Sequence, residues 1–284
     1  MIYMERGKLY PIATPIGNLS DFSPRAIETL ESVDFIAAED TRVTMKLLNR
    51  FEIKKPLISY YEHNRREKGE YIVERLENGE SCALVTDAGS PAISDPGTEL
   101  VDLCIRRGIE VVPIPGCCAI ITALCASGIE CGRFTFEGFL STANKSRIDH
   151  LESVAKEKRT MVFYEAPHKL MRTLEDMYKY FGDREIALCR ELTKLHEEII
   201  RTTLSAAIEK YKETPPKGEF VLVIKGYKGE DENTEKPEPL EMVKRLMSEG
   251  KSLKDAVKET SKALSYPKNH LYDAALEMIS KEEE

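Results

Sequence analysis

The chain has 284 residues, 42% of them hydrophobic and 32% charged, enough apolar material for one or two packed cores. Its formal net charge of −8 excludes a protein that coats nucleic acid or an anionic membrane over its whole surface. No run approaches the ~18–20 apolar residues of a membrane-spanning helix, and the first residues lack the basic and apolar regions of a secretory signal.

Short β-rich runs are expected at 8–13, 33–38, 57–61, 81–86, 110–114, 134–139, 160–165, 185–190 and 219–225. The middle of each is almost continuously apolar, the pattern of strands buried on both faces of a mostly parallel sheet. Helical patterns at 24–32, 67–78, 97–107 and 119–126 lie between them, so the fold class is α/β. A change in character around 115–118 divides this part into two α/β domains, 1–116 and 117–228, with mainly parallel sheets. Residues 229–239 are charged, contain proline and lack large apolar side chains, and read as a flexible linker. Apolar positions then return at helical spacing: Leu240, Val243, Leu246 and Met247, then Leu253, Ala256 and Val257, then Leu271, Ala274 and Ala275. Gly250 is placed to end the first of these helices, Ser252 to cap the second and Pro267 to start the third. Residues 240–284 therefore read as a small helix-turn-helix-like module.

The seven cysteines (82, 104, 117, 118, 125, 131 and 189) are odd in number and form no C-x-x-C pair. Reduced thiols in a cytoplasmic protein are the expectation, with no disulfide framework. The five histidines are scattered without ligand spacing, so no metal is expected. The glycine-rich phosphate loops of nucleotide-binding enzymes are absent, as are the hydrolase and metalloprotease signatures.

What stands out is the chemistry at strand ends, where α/β folds build their sites. Three buried strands run into loops rich in Gly, Pro and Asp: TPIGN at 14–18, DAGSP at 87–91 and PIPG at 113–116. Turn formation explains any one of these loops; three in succession point to a small ligand held by close backbone approach. Asp87 stands at a strand end, where a carboxylate can accept hydrogen bonds from a ribose or an amine. Asp95, just before Pro96, reads as a helix cap.

These loops belong to a longer ordered set: ATPIGNL at 13–19, AEDTR at 38–42, VTDAGSPAISDPG at 85–97, Pro115-Gly116 with Ala119, Ser127-Gly128, FTFEGFL at 134–140, FYEAPHK at 163–169, RELTKLHEE at 190–198 and GEFV at 218–221. With them the chain resembles the tetrapyrrole-methylase superfamily of S-adenosylmethionine enzymes over residues 8–228. It is most similar to the branch that methylates the ribose 2′-hydroxyl of a cytidine in the decoding region of 16S ribosomal RNA. The tail from about 240 resembles the helical module of that branch. The resemblance implies two α/β domains enclosing S-adenosylmethionine, a homodimer, and a substrate within the small ribosomal subunit. Carried over by motif, Pro15, Asp87, Ala88, Gly89, Ala92, Ile93, Cys117, Cys118 and Ala119 are its cofactor residues. Leu140, Tyr164, Pro167, Lys217, Gly218 and Glu219 are further cofactor positions. The branch usually has Pro-Ser where this chain has Cys117-Cys118, which replaces a hydroxyl by a weaker thiol donor.

Methyl transfer to a hydroxyl needs alignment and a proton acceptor. Candidates at strand ends are Glu39, Asp40, Glu165 and Glu191, with Lys194 as a base of depressed pKa; Glu165 or Lys194 is the favoured choice, and Arg42 belongs to the same group. The plainer reading makes them an ion network with Arg42, Arg190 and Lys194. RNA contacts are expected at Arg42, Arg65 and Arg66 beside the cleft, and at Lys268, Asn269 and His270 near the third tail helix. Two alternatives share the loop features: a methylase of a tetrapyrrole or modified amino acid, and a non-catalytic assembly factor that binds RNA and S-adenosylmethionine. The acidity excludes neither RNA reading, because most of the excess negative charge falls in 228–239 and the last four residues.

Overall fold

The computed structural model describes residues 6–229, 238–264 and 266–282, with side chains through 278. Residues 230–237 of the expected linker, and the first five residues, lie outside the described residues. The chain forms two compact units, Met1–Tyr227 and Lys228–Glu284.

The larger unit holds two five-stranded sheets. The first contains β1 (Lys8–Pro11), β2 (Phe35–Ala38), β3 (Leu57–Ser59), β4 (Cys82–Val85) and β5 (Glu110–Val111), in the order β3-β2-β4-β1-β5. All its pairings are parallel. Every residue of β2 and β4 is buried, which is why their sequences are apolar without alternation. Helices α1 (Pro24–Ser32), α2 (Thr41–Arg50), α3 (Arg65–Glu77) and α4 (Thr98–Arg106) connect these strands. Ser23 caps α1 by accepting the Ala26 N–H at 3.1 Å, with Pro24 in the first turn, as the sequence predicts. Leu30, Ile36 and Leu48 pack on one side of this sheet; Phe35, Ile72, Leu76 and Leu100 pack on the other.

The second sheet contains β6 (Phe134–Phe139), β7 (Thr160–Glu165), β8 (Glu185–Arg190), β9 (Glu198–Thr203) and β10 (Phe220–Ile224), in the order β6-β7-β10-β8-β9. Only β6 and β7 are parallel; the other pairs are antiparallel. The expectation of mainly parallel sheets therefore holds for the first sheet and not for the second. Strand β9 went unpredicted because it is an edge strand of mixed polarity, joined to β8 by a hairpin at 191–197. Helix α5 (Ala119–Ser127) covers one face with Val162, Ala187 and Val223. Helices α6 (Asn144–Val154), α7 (Pro167–Phe181) and α8 (Leu204–Glu213) cover the other with Leu151, Phe163 and Leu174.

The small unit has helices α9 (Pro239–Ser248), α10 (Leu253–Leu264) and α11 (Lys268–Glu282) around Val243, Leu246, Ala256, Val257, Leu271 and Ala275. Gly250, at φ 93°, closes α9: its N–H reaches the Met247 carbonyl and the Lys251 N–H reaches that of Leu246. The Ser252 hydroxyl accepts the Asp255 N–H, as expected of a cap. Pro267 precedes α11 by one residue, and its carbonyl takes the Leu271 N–H. No described helix is long and apolar enough to cross a membrane.

Candidate active site at the strand ends

The loops at the carboxyl ends of the first sheet are stitched together by backbone. Thr14 and Gly89 exchange two hydrogen bonds, at 2.9 and 3.0 Å, across the loops after β1 and β4. The Thr14 hydroxyl donates to the Thr86 carbonyl, and the Ser90 hydroxyl to that of Cys117. Asp87 accepts the Asp40 N–H at 3.2 Å and so ties in the end of β2. Gly89 needs its glycine, since its φ is +86°.

The second sheet contributes its own rim. In the β8–β9 hairpin, Glu191 and Thr193 adopt positive φ without being glycine. Ala92 and Ser94 do the same in the loop after β4. Such strained backbone concentrates at functional sites. The Lys194 ammonium lies 2.9 Å from Glu191 and 2.8 Å from Glu219, and the Glu219 N–H returns to Glu191 at 2.9 Å.

Between these rims lies a cavity of about 380 Å³. Ile16, Leu192, Phe139, Tyr164 and Val221 give it apolar walls, while Ala88, Gly89, Cys118 and Ala119 let backbone approach closely. Tyr164 packs against Phe136 and Phe139, with ring centroids 5.0 and 5.4 Å apart. Three carboxylates, Glu39, Asp87 and Asp95, line one side. All three are raised above the ordinary carboxylate range, each by burial first. Repulsion adds to this, from Asp87 on Glu39 and from Glu39 and Asp87 on Asp95. Asp95 is pushed up to about 6. A pocket of this size with few polar groups suits a small molecule, and its crowded negative charge suits a cation.

The cavity gathers residues that the sequence had placed there from distant motifs: Glu39, Asp87, Ala88, Gly89, Ile93, Cys118, Ala119, Tyr164, Glu165, Lys194 and Glu219. It also reveals Ile16, Ser90, Ser94, Phe139, Leu192 and Val221, which lay inside the recognised motifs without a chemical signal of their own. Pro15, Ala92, Cys117, Pro167, Lys217 and Gly218 are not among the residues that line it. The Cys117 thiol points to the Asp21 carbonyl at 3.5 Å, and Pro167 starts α7. Gly218, at φ +82°, leaves room for Glu191, whose Cγ would stand 2.4 Å from a Cβ there. Leu140 is buried in the core beneath the second sheet, so its contact with a cavity ligand is not supported.

The expected bases are redistributed. Asp40 caps α2 and holds the Arg42 guanidinium, which keeps its carboxyl down at about 2. Arg42 is otherwise exposed, and neither residue lines the cavity. Burial alone would lower the Lys194 ammonium, but its bonds to Glu191 and Glu219 outweigh this and hold it above the ordinary lysine value. It is therefore a fixed cation and not a base of depressed pKa. Glu165 borders the cavity but is only 3% exposed. One oxygen accepts the Ala166 N–H at 2.8 Å and the other accepts the Thr173 hydroxyl. The Arg147 guanidinium donates to that hydroxyl at 2.8 Å, so Glu165 is anchored in a buried network. Asp95 does not cap a helix: α4 has Gly97 at its N-cap and no side-chain bond there.

Among the expected RNA contacts, Arg65 pairs with Glu99 at 2.5 Å and Arg66 is exposed. In the small unit, Lys268 and Asn269 share a concavity with Lys254, Tyr272 and Asp273, and His270 is exposed.

The residues present fit S-adenosylmethionine. The apolar walls suit an adenosyl group, the strand-end carboxylates suit ribose hydroxyls and an ammonium, and the shared negative charge suits a sulfonium.

Residues 8–208 match the family described as Tetrapyrrole (Corrin/Porphyrin) Methylases, and residues 233–279 match the RsmI C-terminal HTH domain. The chain is 48% identical over 274 residues to the protein of Synechocystis sp. named Ribosomal RNA small subunit methyltransferase I, covering 96% of this chain and 98% of that one. It is also 48% identical over 275 residues to the protein of that name from Bacillus subtilis, covering 95% and 94%. Among solved structures, the cobalamin biosynthetic enzyme cobalt precorrin-4 methyltransferase CbiF aligns with a TM-score of 0.58 at 18% identity, over 77% of this chain and 94% of that one. Diphthine synthase aligns with a TM-score of 0.58 at 14% identity, over 77% and 89%; both likenesses are of fold. The chain belongs to the tetrapyrrole methylase family of S-adenosylmethionine-dependent methyltransferases.

Proposed function

We propose that this methyltransferase acts on 16S ribosomal RNA within the small ribosomal subunit, methylating the ribose 2′-hydroxyl of a cytidine in the decoding region. The observation that carries this reading is the match to relatives named for small-subunit ribosomal RNA over nearly the whole chain, helical tail included. The protein works as a cytoplasmic homodimer, with two α/β halves that meet near residues 116–117.

Bound in the cavity, S-adenosylmethionine supplies a methyl group already activated on a sulfonium. Asp87, Ala88, Gly89 and Ile93 hold it from the first sheet's side; Cys118, Ala119, Tyr164 and Glu219 hold it from the second. Pro15, Ala92, Cys117, Pro167, Lys217 and Gly218 shape these loops. The chain aligns the acceptor and excludes water, and alignment alone is worth about 7–11 kcal/mol of barrier in favourable cases. Arg42, Arg65 and Arg66 in the large unit, and Lys268, Asn269 and His270 in the small one, meet RNA phosphates.

The test is to incubate labelled S-adenosylmethionine with unmethylated small subunits, free ribosomal RNA and a porphyrinogen. Label on a cytidine ribose of the subunit supports the reading. Label on the porphyrinogen alone, or on no acceptor at all, rejects it.

A further inference from the structure

A hydroxyl accepts a methyl group only as its proton leaves, so a base must border the cavity. Among the described residues, six carboxylates do so: Glu39, Asp87, Asp95, Glu165, Glu191 and Glu219. Five are engaged. Both oxygens of Glu165 accept hydrogen bonds, and Glu191 and Glu219 neutralise Lys194. Asp87 accepts the Asp40 N–H, and Glu39 is stabilised by the backbone N–H of Asp87. No hydrogen-bond donor or cation among the described residues contacts Asp95, and it caps no helix.

The backbone around Asp95 is sharply contorted. Ala92 and Ser94 take φ of 66° and 65°, and Gly97 takes 152°. A Cβ on Gly97 would stand 3.1 Å from the Ala92 nitrogen and from Leu84 Cδ2. This loop sets the carboxylate at the cavity, within electrostatic reach of Tyr164 on the opposite sheet. We propose that Asp95 is the general base that accepts the proton of the acceptor hydroxyl, an inference that rests on the ribose-methylation reading above.

The O–CH3 bond forms as the S–CH3 bond breaks and its electron pair returns to sulfur; the hydroxyl proton passes to an Asp95 oxygen and then to water. The groups facing Asp95 are Glu39 and Asp87 on its own side and Tyr164 on β7, while the Lys194 ammonium on the same cavity is spent on its two glutamates. Burial and these two carboxylates place its proton affinity near physiological pH, where a general base works best.

The experiment measures single-turnover methylation of small subunits at saturating RNA and S-adenosylmethionine, for wild type, Asp95→Asn and Asp95→Glu. S-adenosylmethionine affinity is measured separately by calorimetry. Asp95→Asn should slow the methyl-transfer step by about 10²–10⁴-fold, far more than it weakens S-adenosylmethionine binding, and Asp95→Glu should recover part of the rate. The wild-type rate should climb about tenfold per pH unit while Asp95 is protonated and level off once it is ionised, and Asp95→Asn should lose that climb. An Asp95→Asn rate close to wild type overturns the inference, as does an affinity loss that matches the rate loss. A wild type that binds S-adenosylmethionine yet methylates no RNA overturns the ribose reading, and this inference with it; an active wild type with an equally active Asp95→Asn overturns this inference alone.

Discussion

Gly17, in the loop after β1, lies directly against Lys194 in the β8–β9 hairpin: a Cβ on Gly17 would stand 2.4 Å from Lys194 Cγ and 2.9 Å from the Thr193 hydroxyl. Through this approach a loop of the first sheet fixes the rim supplied by the second. Gly17→Ala should push the hairpin away and open the cavity. Overpacking of this kind costs about 1–3 kcal/mol, so S-adenosylmethionine should bind about 5–150-fold more weakly by calorimetry. Unaltered affinity would show that the hairpin does not shape the cofactor site.

The carboxylate cluster predicts a pH dependence of cofactor binding. Glu39, Asp87 and Asp95 are all raised, with Asp95 at about 6, so they ionise reluctantly without a ligand. A sulfonium prefers the ionised cluster. Affinity should therefore rise with pH through about 6 and then level off, and binding should release protons below that point. Calorimetry in buffers of different ionisation enthalpy measures both quantities.

The same cluster costs stability. A carboxyl whose folded pKa lies above its unfolded value binds more protons when folded, so its contribution falls as pH rises from its unfolded value near 3.8 towards about 6. Asp95→Asn should raise the melting temperature of the ligand-free protein at neutral pH by about 2–4 °C for each kcal/mol relieved, and leave it unchanged in acid. A lower melting temperature at neutral pH would show that Asp95 has a structural partner.

Glu165 should be a stability residue. Thr173→Val removes the hydroxyl that joins Glu165 to Arg147. Both buried charges lose a hydrogen bond, at a cost of about 1–3 kcal/mol, visible as a lower urea midpoint with an unchanged slope. Arg147 keeps Asp176 at 2.6 Å, which limits the loss.

The helical unit should serve RNA and not the cofactor. Deleting residues 236–284 should weaken small-subunit binding and leave S-adenosylmethionine affinity intact, because this unit has its own core. Lys254→Glu with Lys268→Glu should flatten the salt dependence of binding, by about 0.7–0.9 in the log–log slope for each RNA phosphate that is no longer neutralised. Parallel loss of cofactor binding would make the unit a brace.

Much of the fold was legible in the chain itself, because burial on both faces writes continuous apolar runs such as those of β2, β4 and β10. The loops at 14–18 and 87–91 announced themselves through Gly, Pro and Asp, which close backbone approach demands. The antiparallel half of the second sheet was hidden, since a half-exposed edge strand such as β9 leaves only a weak pattern. The roles of the carboxylates were decided by tertiary contacts alone. Glu165 is taken by Thr173 and Lys194 by Glu219, partners brought close only by folding, while Asp95 has none among the described residues, α4 beginning at Thr98 with Gly97 as its cap. Sequence determines which residues can ionise; the packed structure decides which of them is left to react, because a carboxylate's proton affinity and freedom depend on the neighbours that share its burial.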